Sequence, residues 1–278
     1  MTSLRRILNI FMSVTWLMSS KLKLALIQTE LIWESPKANR EKFELLLQFL
    51  PAESDLIVFP EMFTTGFSMN SAALAEPSDG TTVKWMLTIA QEKKSSVVGS
   101  IIVKEGQHYY NRLYWAFPNG DLKYYDKRHL FRMAGEDKYY SPGCSRLIVE
   151  YKGWKICPLI CYDLRFPVWS RNDCDFDCLL YIANWPKPRI DAWTALLKAR
   201  AIENQCFSIG INRIGQDGSG VAYSGGSVVF SPKGKSIATF KDGEEQIVML
   251  ELDKDERLKF REKFPVHLDR DEFKIEGL

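Results

Sequence analysis

The 278-residue chain is 46% apolar, 13% aromatic and 26% charged, the make-up of a folded globular protein rather than a disordered one. Its 37 Lys and Arg nearly balance 35 Asp and Glu, and the net charge of +2 leaves no basic excess to hold nucleic acid. A chain of this length buries roughly three-quarters of its unfolded surface, so it needs neither disulfides nor a metal to fold.

Residues 1–21 read as an extension ahead of the fold. Arg5 and Arg6 precede an apolar run, Ile7–Met18, broken by Asn9, Ser13 and Thr15. That run is too short for a membrane-spanning helix. It resembles a signal peptide, but Met18-Ser19-Ser20 lacks the spaced small residues of a cleavage site. A true start at Met18 is the simpler reading. An export signal and a membrane-surface helix are the alternatives.

From residue 22 to 278 short apolar runs alternate with helical stretches, with no composition shift to divide them, which predicts one α/β domain of two packed sheets covered by helices. Strands are expected at 22–28, 56–59, 96–103, 113–117, 146–150, 155–160, 178–183, 206–211, 227–230 and 246–252. The first helix spans 36–50, with Ser35 as cap, Pro36 in the first turn and Phe43, Leu46, Leu47 and Leu50 on one stripe. Others are expected at 82–93, with Val83, Met86, Leu87 and Ala90 aligned, at 190–203, with Trp193, Leu196 and Leu197, and at 254–263. Turns fall at Pro118-Asn119-Gly120-Asp121 and Pro232-Lys233-Gly234.

Six cysteines, at 144, 157, 161, 174, 178 and 206, are too sparse for a disulfide scaffold and suit a cytoplasmic protein with reduced thiols. Cys157, Cys161, Cys174 and Cys178 mimic a four-thiolate zinc pattern. The first pair, however, lies along a strand, where four residues span about 13 Å. One zinc cannot bridge that distance, so no metal is expected.

Three segments put a reactive side chain just after an apolar strand, where α/β sites gather. In LIVFPEMF, Glu61 sits beside Phe59, Met62 and Phe63. Partial desolvation there would raise its pKa toward that of a general base. In LKYYDKRHL, Lys127 offers a fixed ammonium for an oxyanion or a thiolate. In WKICPLICYDLRFP, Cys161 occupies a strand-to-helix turn, where the Tyr162 backbone N–H is a ready oxyanion donor. Each alone also reads as a strand-end carboxylate, a solvated basic loop or an inert buried thiol.

Together, and in this order, the segments resemble the nitrilase superfamily of carbon–nitrogen hydrolases over nearly the whole chain. PEMFTTGF, YDKRHLF, the SPG at 141–143, ICYDLRFP, the ANWP at 183–186 and ARAIENQ at 199–205 carry the resemblance. It implies a four-layer α-β-β-α sandwich, often a homodimer or higher homo-oligomer, with no metal or organic cofactor. It assigns Glu61 as general base, Lys127 as catalytic lysine, Cys161 as nucleophile and Glu136 as a second glutamate orienting the lysine. Arg165 and Asn184 fall in family motifs as supports. One departure is Val168, which follows Pro167 where many members carry an acidic residue. That leaves open what holds the nucleophile turn from behind.

TTGFSMN, FPVWSRN and FREKFPVHLDRDEF are most similar to the bacterial omega-amidase branch. The resemblance thus implies hydrolysis of the terminal amide of dicarboxylic acid monoamides, such as 2-oxoglutaramate or 2-oxosuccinamate, through a cysteine thioester, with Glu61 taking the Cys161 proton and Lys127 favouring the thiolate. The small-molecule amide is the expected partner, with neither nucleic acid nor membrane. Its distal carboxylate needs a cation, for which Arg128, Arg132, Arg165 and Arg189 are candidates. Phe63 and Trp185 are candidates for an apolar wall. The alternatives are nitrilase or N-carbamoyl amidase activity on the same scaffold, a cysteine hydrolase pairing Cys161 with His129 or His267, and a non-catalytic binding scaffold.

Overall fold

A computed structural model of the chain describes residues 20–50 and 53–275. The extension assigned to 1–21 therefore lies outside the described residues, apart from Ser20 and Lys21. Those two already belong to the fold: Lys21 opens the first strand opposite Asp253, and Ser20 O accepts from Lys254 N at 2.7 Å.

In chain order the strands are β1 (Lys21–Gln28), β2 (Leu56–Val58), β3 (Glu76–Pro77), β4 (Ser96–Glu105), β5 (His108–Ala116), β6 (Leu122–Asp126), β7 (Val149–Tyr151), β8 (Trp154–Ile160), β9 (Cys178–Ala183), β10 (Phe207–Asn212), β11 (Ile214–Gln216), β12 (Ala222–Ser224), β13 (Val228–Phe230), β14 (Ser236–Thr239) and β15 (Gln246–Asp253). The α-helices are α1 (Pro36–Gln48), α2 (Ser71–Leu74), α3 (Thr81–Lys93), α4 (Ile190–Asn204) and α5 (Lys254–Lys263). One sheet runs β15-β1-β2-β4-β5-β6, with β3 also on β4. The other runs β14-β13-β10-β9-β8-β7. Each has three parallel strands at its centre and antiparallel neighbours outside them.

Alternation along the strands sets the layers. Leu22, Leu24 and Leu26 of β1 face the second sheet, and Leu56 and Val58 of β2 share that core. The intervening Ala25, Ile27 and Ile57 pack with Phe43 and Leu47 of α1 and Met86 and Ala90 of α3. On the far side, Trp193, Leu197 and Ala201 of α4 join the core of the second sheet. The order is helix, sheet, sheet, helix, the expected four-layer α-β-β-α sandwich.

Several local expectations change. Ser35 makes no side-chain cap bond. Asn39 fixes that turn instead, accepting from Ile32 N at 2.8 Å and donating to Ile32 O and Thr64 O, each at 2.6 Å. The strand expected at 113–117 begins at His108, and the one expected at 146–150 begins only at Val149. Pro158 is tolerated inside β8 because β7 pairs no further than Ile156, so one side of the strand is already open there.

Candidate active site

Glu61 lies just beyond β2, in a turn where Met62 takes a left-handed φ of 43°. The reversal sends neighbouring side chains to opposite sides. Phe63 packs between Phe43, Phe59 and Trp85 under the helices, close against Gly99 of β4, where a Cβ would lie 2.8 Å from its ring. Phe63 therefore forms no wall of the site, contrary to the expectation. Phe67, one turn later, does.

Glu61 itself is 0% exposed, so its desolvation is complete rather than partial, and every contact it makes is with the interior. Its Oε1 accepts from Asn111 Nδ2 at 2.7 Å and Lys127 Nζ at 2.9 Å, and its Oε2 from Asn184 N at 2.8 Å. Asn184 Nδ2 also donates to Glu61 O at 2.7 Å. Asn184 follows β9 directly, so Glu61 is held from both sheets. The support role assigned to Asn184 thus acquires specific bonds.

Lys127 follows β6 and is 1% exposed. Its Nζ lies 3.0 Å from both Glu136 oxygens as well as 2.9 Å from Glu61. Its backbone is pinned at both ends, with N donating to Asn111 O at 3.0 Å and O accepting from Gly143 N at 2.9 Å. Gly143 explains the SPG segment: a Cβ there would fall 2.1 Å from Asp126 O, so only glycine permits this approach. Glu136 also accepts from Phe131 N, at 2.5 Å.

One ammonium between two carboxylates leaves this buried cluster with excess negative charge. Burial opposes the charged form of Lys127, but Glu136 and Glu61 outweigh it and hold the ammonium above the ordinary lysine range. Burial pushes Glu136 up, Lys127 pulls it back, and Glu61 pushes it up again, for a net rise. At Cys161 burial dominates and Glu61 adds to it. Lys127 opposes both without prevailing, so the thiol sits well above its usual range. Lys127 favours the thiolate, as expected, but does not make it the resting form. The resting group is a thiol, because burial first, and then Glu61 and Glu136, outweigh the single ammonium.

Cys161 directly follows β8 with a φ of 43°, a left-handed conformation that costs a non-glycine residue about 1–3 kcal/mol. It starts a 3-10 turn through Arg165. This is the sharp turn the sequence suggested. Tyr162 packs edge-on against Phe131 and Phe166, with centroids 5.1 and 5.2 Å away.

Cys161 and Lys127 open into a cavity of about 480 Å³, whose wall includes Phe67, Phe131, Tyr162, Arg165, Asn184, Trp185, Arg189, Asp217 and Tyr223. Of the four cations considered for a carboxylate, Arg165 and Arg189 line it. The Arg165 guanidinium lies over the Trp185 ring at 4.9 Å, and that of Arg189 over Phe131 at 5.2 Å. Trp185 Nε1 donates to Arg189 O at 2.7 Å. Arg128 and Arg132 are elsewhere: Arg128 donates to Gly143 O at 3.1 Å, and Arg132 is exposed beside Asp137. Neither histidine of the cysteine–histidine alternative lines the cavity. His129 Nδ1 bonds Asp163 at 2.8 Å, and His267 lies among Arg171, Arg261 and Arg270. Cys157 and Cys178 are buried on neighbouring strands and Cys174 is exposed. Among the described residues no cluster of three or more His, Cys, Asp or Glu is placed to hold a metal, and no helix is long and apolar enough to cross a membrane.

Two buried polar residues went unnoticed in the sequence. Asn111 shares a strand face with Leu113 and Trp115, and a lone amide in that apolar alternation was the available signal. Asp163, two residues beyond Cys161, was visible but had no assigned role.

The carbon–nitrogen hydrolase family model matches residues 23–261. The chain is 46% identical over 254 residues to the omega-amidase YafV of Escherichia coli (strain K12), covering 91% of this chain and 98% of that one. It is 35% identical to the 2-oxoglutaramate amidase of Bacillus subtilis (strain 168), covering 90% and 97%. Its fold matches the crystal structure of a Xanthomonas campestris CN-hydrolase superfamily protein with an arsenic adduct in the active site. The TM-score is 0.89 and the identity 42%, over 92% of this chain and 99% of that one.

Proposed function

Because the chain belongs to the carbon–nitrogen hydrolase family, we propose that it is an omega-amidase. It hydrolyses the terminal amide of dicarboxylic acid monoamides such as 2-oxoglutaramate or 2-oxosuccinamate, giving the acid and ammonia. The observation that carries this reading is Cys161 beside the buried Lys127 ammonium, itself bonded to Glu61, in a cavity also lined by two guanidinium groups.

The chemistry follows from the resting thiol. Glu61 takes the Cys161 proton as Sγ attacks the amide carbon, so negative charge passes from the carboxylate to the carbonyl oxygen. Lys127 Nζ and the Tyr162 backbone N–H stabilise that oxyanion, and Glu136 keeps the ammonium in place. The tetrahedral intermediate collapses as Glu61 returns the proton to the amide nitrogen. The C–N bond breaks, ammonia leaves and an S-acyl thioester remains. A water molecule, deprotonated by Glu61, attacks the thioester, and the departing sulfur takes up that proton. The distal carboxylate pairs with Arg165 and Arg189, held across the cavity by Trp185 and Phe131. A planar guanidinium resting on an aromatic face keeps its edge free for a carboxylate.

The test is ammonia release from dicarboxylic monoamides, alongside nitriles and N-carbamoyl compounds. Turnover is expected on the monoamides and lost in Cys161→Ala with the fold retained. Preference for a nitrile or a carbamoyl compound, or undiminished turnover by Cys161→Ala, would overturn the reading.

A further inference from the structure

Behind the nucleophile turn lies a second buried polar network that the chemistry above leaves unused. Asp163 is 0% exposed and, among the described residues, has no lysine or arginine partner at hydrogen-bond distance. It is held by four donors instead. Oδ1 accepts from His129 N at 3.0 Å and His129 Nδ1 at 2.8 Å. Oδ2 accepts from Tyr125 OH at 2.8 Å and Ile160 N at 3.0 Å. Tyr125 OH in turn accepts from Trp169 Nε1 at 3.0 Å and Arg128 N at 3.2 Å. The His129 ring is stacked on Phe166 at 3.7 Å, nearly parallel.

These bonds join two particular stretches of chain. Ile160 immediately precedes Cys161, whereas Tyr125, Arg128 and His129 bracket Lys127. One carboxylate therefore ties the strained start of the nucleophile turn to the loop that delivers the lysine. A buried carboxylate without a lysine or arginine partner is costly unless all its acceptor sites are used, and here donors meet both oxygens twice. The network also supplies the support left open by Val168, which is 52% exposed.

We propose that Asp163 is a positioning residue, with His129 as its donor, that sets Cys161 Sγ against Lys127 and Glu61. The inference rests on Cys161 being the nucleophile, as in the proposed function, but its test does not need the substrate. Because Asp163 only accepts, His129 Nδ1 carries the proton in that bond, which makes the histidine a clamp rather than a base. Asparagine places its Nδ2 about where histidine places Nδ1, so it can keep the clamp but cannot serve as a base.

The experiment measures the rate of Cys161 alkylation by iodoacetamide, together with kcat and KM for 2-oxoglutaramate. Asp163→Asn turns one acceptor into a donor facing donors. It should slow alkylation and lower kcat by about tenfold or more, with KM within about twofold, as expected on losing bonds to a charged acceptor. His129→Ala should lose several-fold in both rates, and His129→Asn should recover most of that loss. If Asp163→Asn does not fold, the two histidine variants decide alone. Wild-type alkylation by Asp163→Asn, or equal losses in His129→Ala and His129→Asn, would overturn the proposal. Should the protein release no ammonia at all, the alkylation rates still test the clamp, so its failure and that of the amidase reading remain distinguishable.

Discussion

The segment after β2 has two sides built on opposite principles. On one, Phe59 and Phe63 complete an aromatic cluster with Phe43 and Trp85, with ring centroids 4.5 to 5.9 Å apart. On the other, Glu61 meets Lys127, Glu136 and Asn111 in a cluster equally shut off from water. Both sides are dense and buried, but they do different things to free energy. Apolar burial stabilises the fold at about 25 cal/mol per Å². A buried ion cluster returns little net stability, because desolvation consumes most of the Coulomb gain. It preserves an arrangement of charge that the reaction uses. The contrast teaches that burial by itself does not mark a structural residue.

The sharpest break is on the polar side. Glu61→Gln removes the proposed base and should lower the rate of ammonia release by about a thousandfold or more, within the range seen when a member of a catalytic unit is lost. Phe63→Ala should do the reverse. Its cost is about 3–5 kcal/mol of stability, typical of a buried phenylalanine, with KM and kcat of the folded fraction near wild type. Paired denaturation and kinetic measurements on the two variants check both. A Phe63→Ala variant of normal stability with altered KM would blur the division.

The pH dependence of alkylation refines the electrostatics on the same side. Burial and Glu61 raise the Cys161 pKa while Lys127 lowers it. A raised pKa means less thiolate at any given pH. The alkylation rate should thus keep climbing beyond the plateau of a free cysteine, whose pKa is about 8.5. Lys127→Met removes the one lowering influence and should move the profile to still higher pH. A profile with an inflection below that of free cysteine would contradict the assignment. The smallest effect is expected at the cavity wall. Arg189→Gln should raise KM for 2-oxoglutaramate by about tenfold, the loss of one charge-assisted contact, while leaving KM for an uncharged amide unchanged.

Much of this was legible in the sequence. Short apolar runs gave most of the strands of both sheets, and strand-end wording gave Glu61, Lys127 and Cys161. What escaped has physical reasons. The strand β5 was cut short because its first half, His108–Arg112, is polar and aromatic, and Asn111 was lost with it. Phe63 was read as facing the site because a period-two or helical continuation past Glu61 cannot foresee the reversal at Met62. The thiol's protonation state depends on its burial and on how many carboxylates surround one ammonium in space, and sequence spacing carries neither. Arg165 and Arg189 could not be separated from Arg128 and Arg132 for the same reason, since a cation is oriented by the ring or carbonyl it meets after folding.

The most direct measurement is mass spectrometry of the protein quenched during turnover of 2-oxoglutaramate. The account predicts an acyl adduct on the peptide that contains Cys161, present in the wild type and absent from Cys161→Ala. Turnover without any adduct on that peptide, or an adduct on another residue, would contradict it.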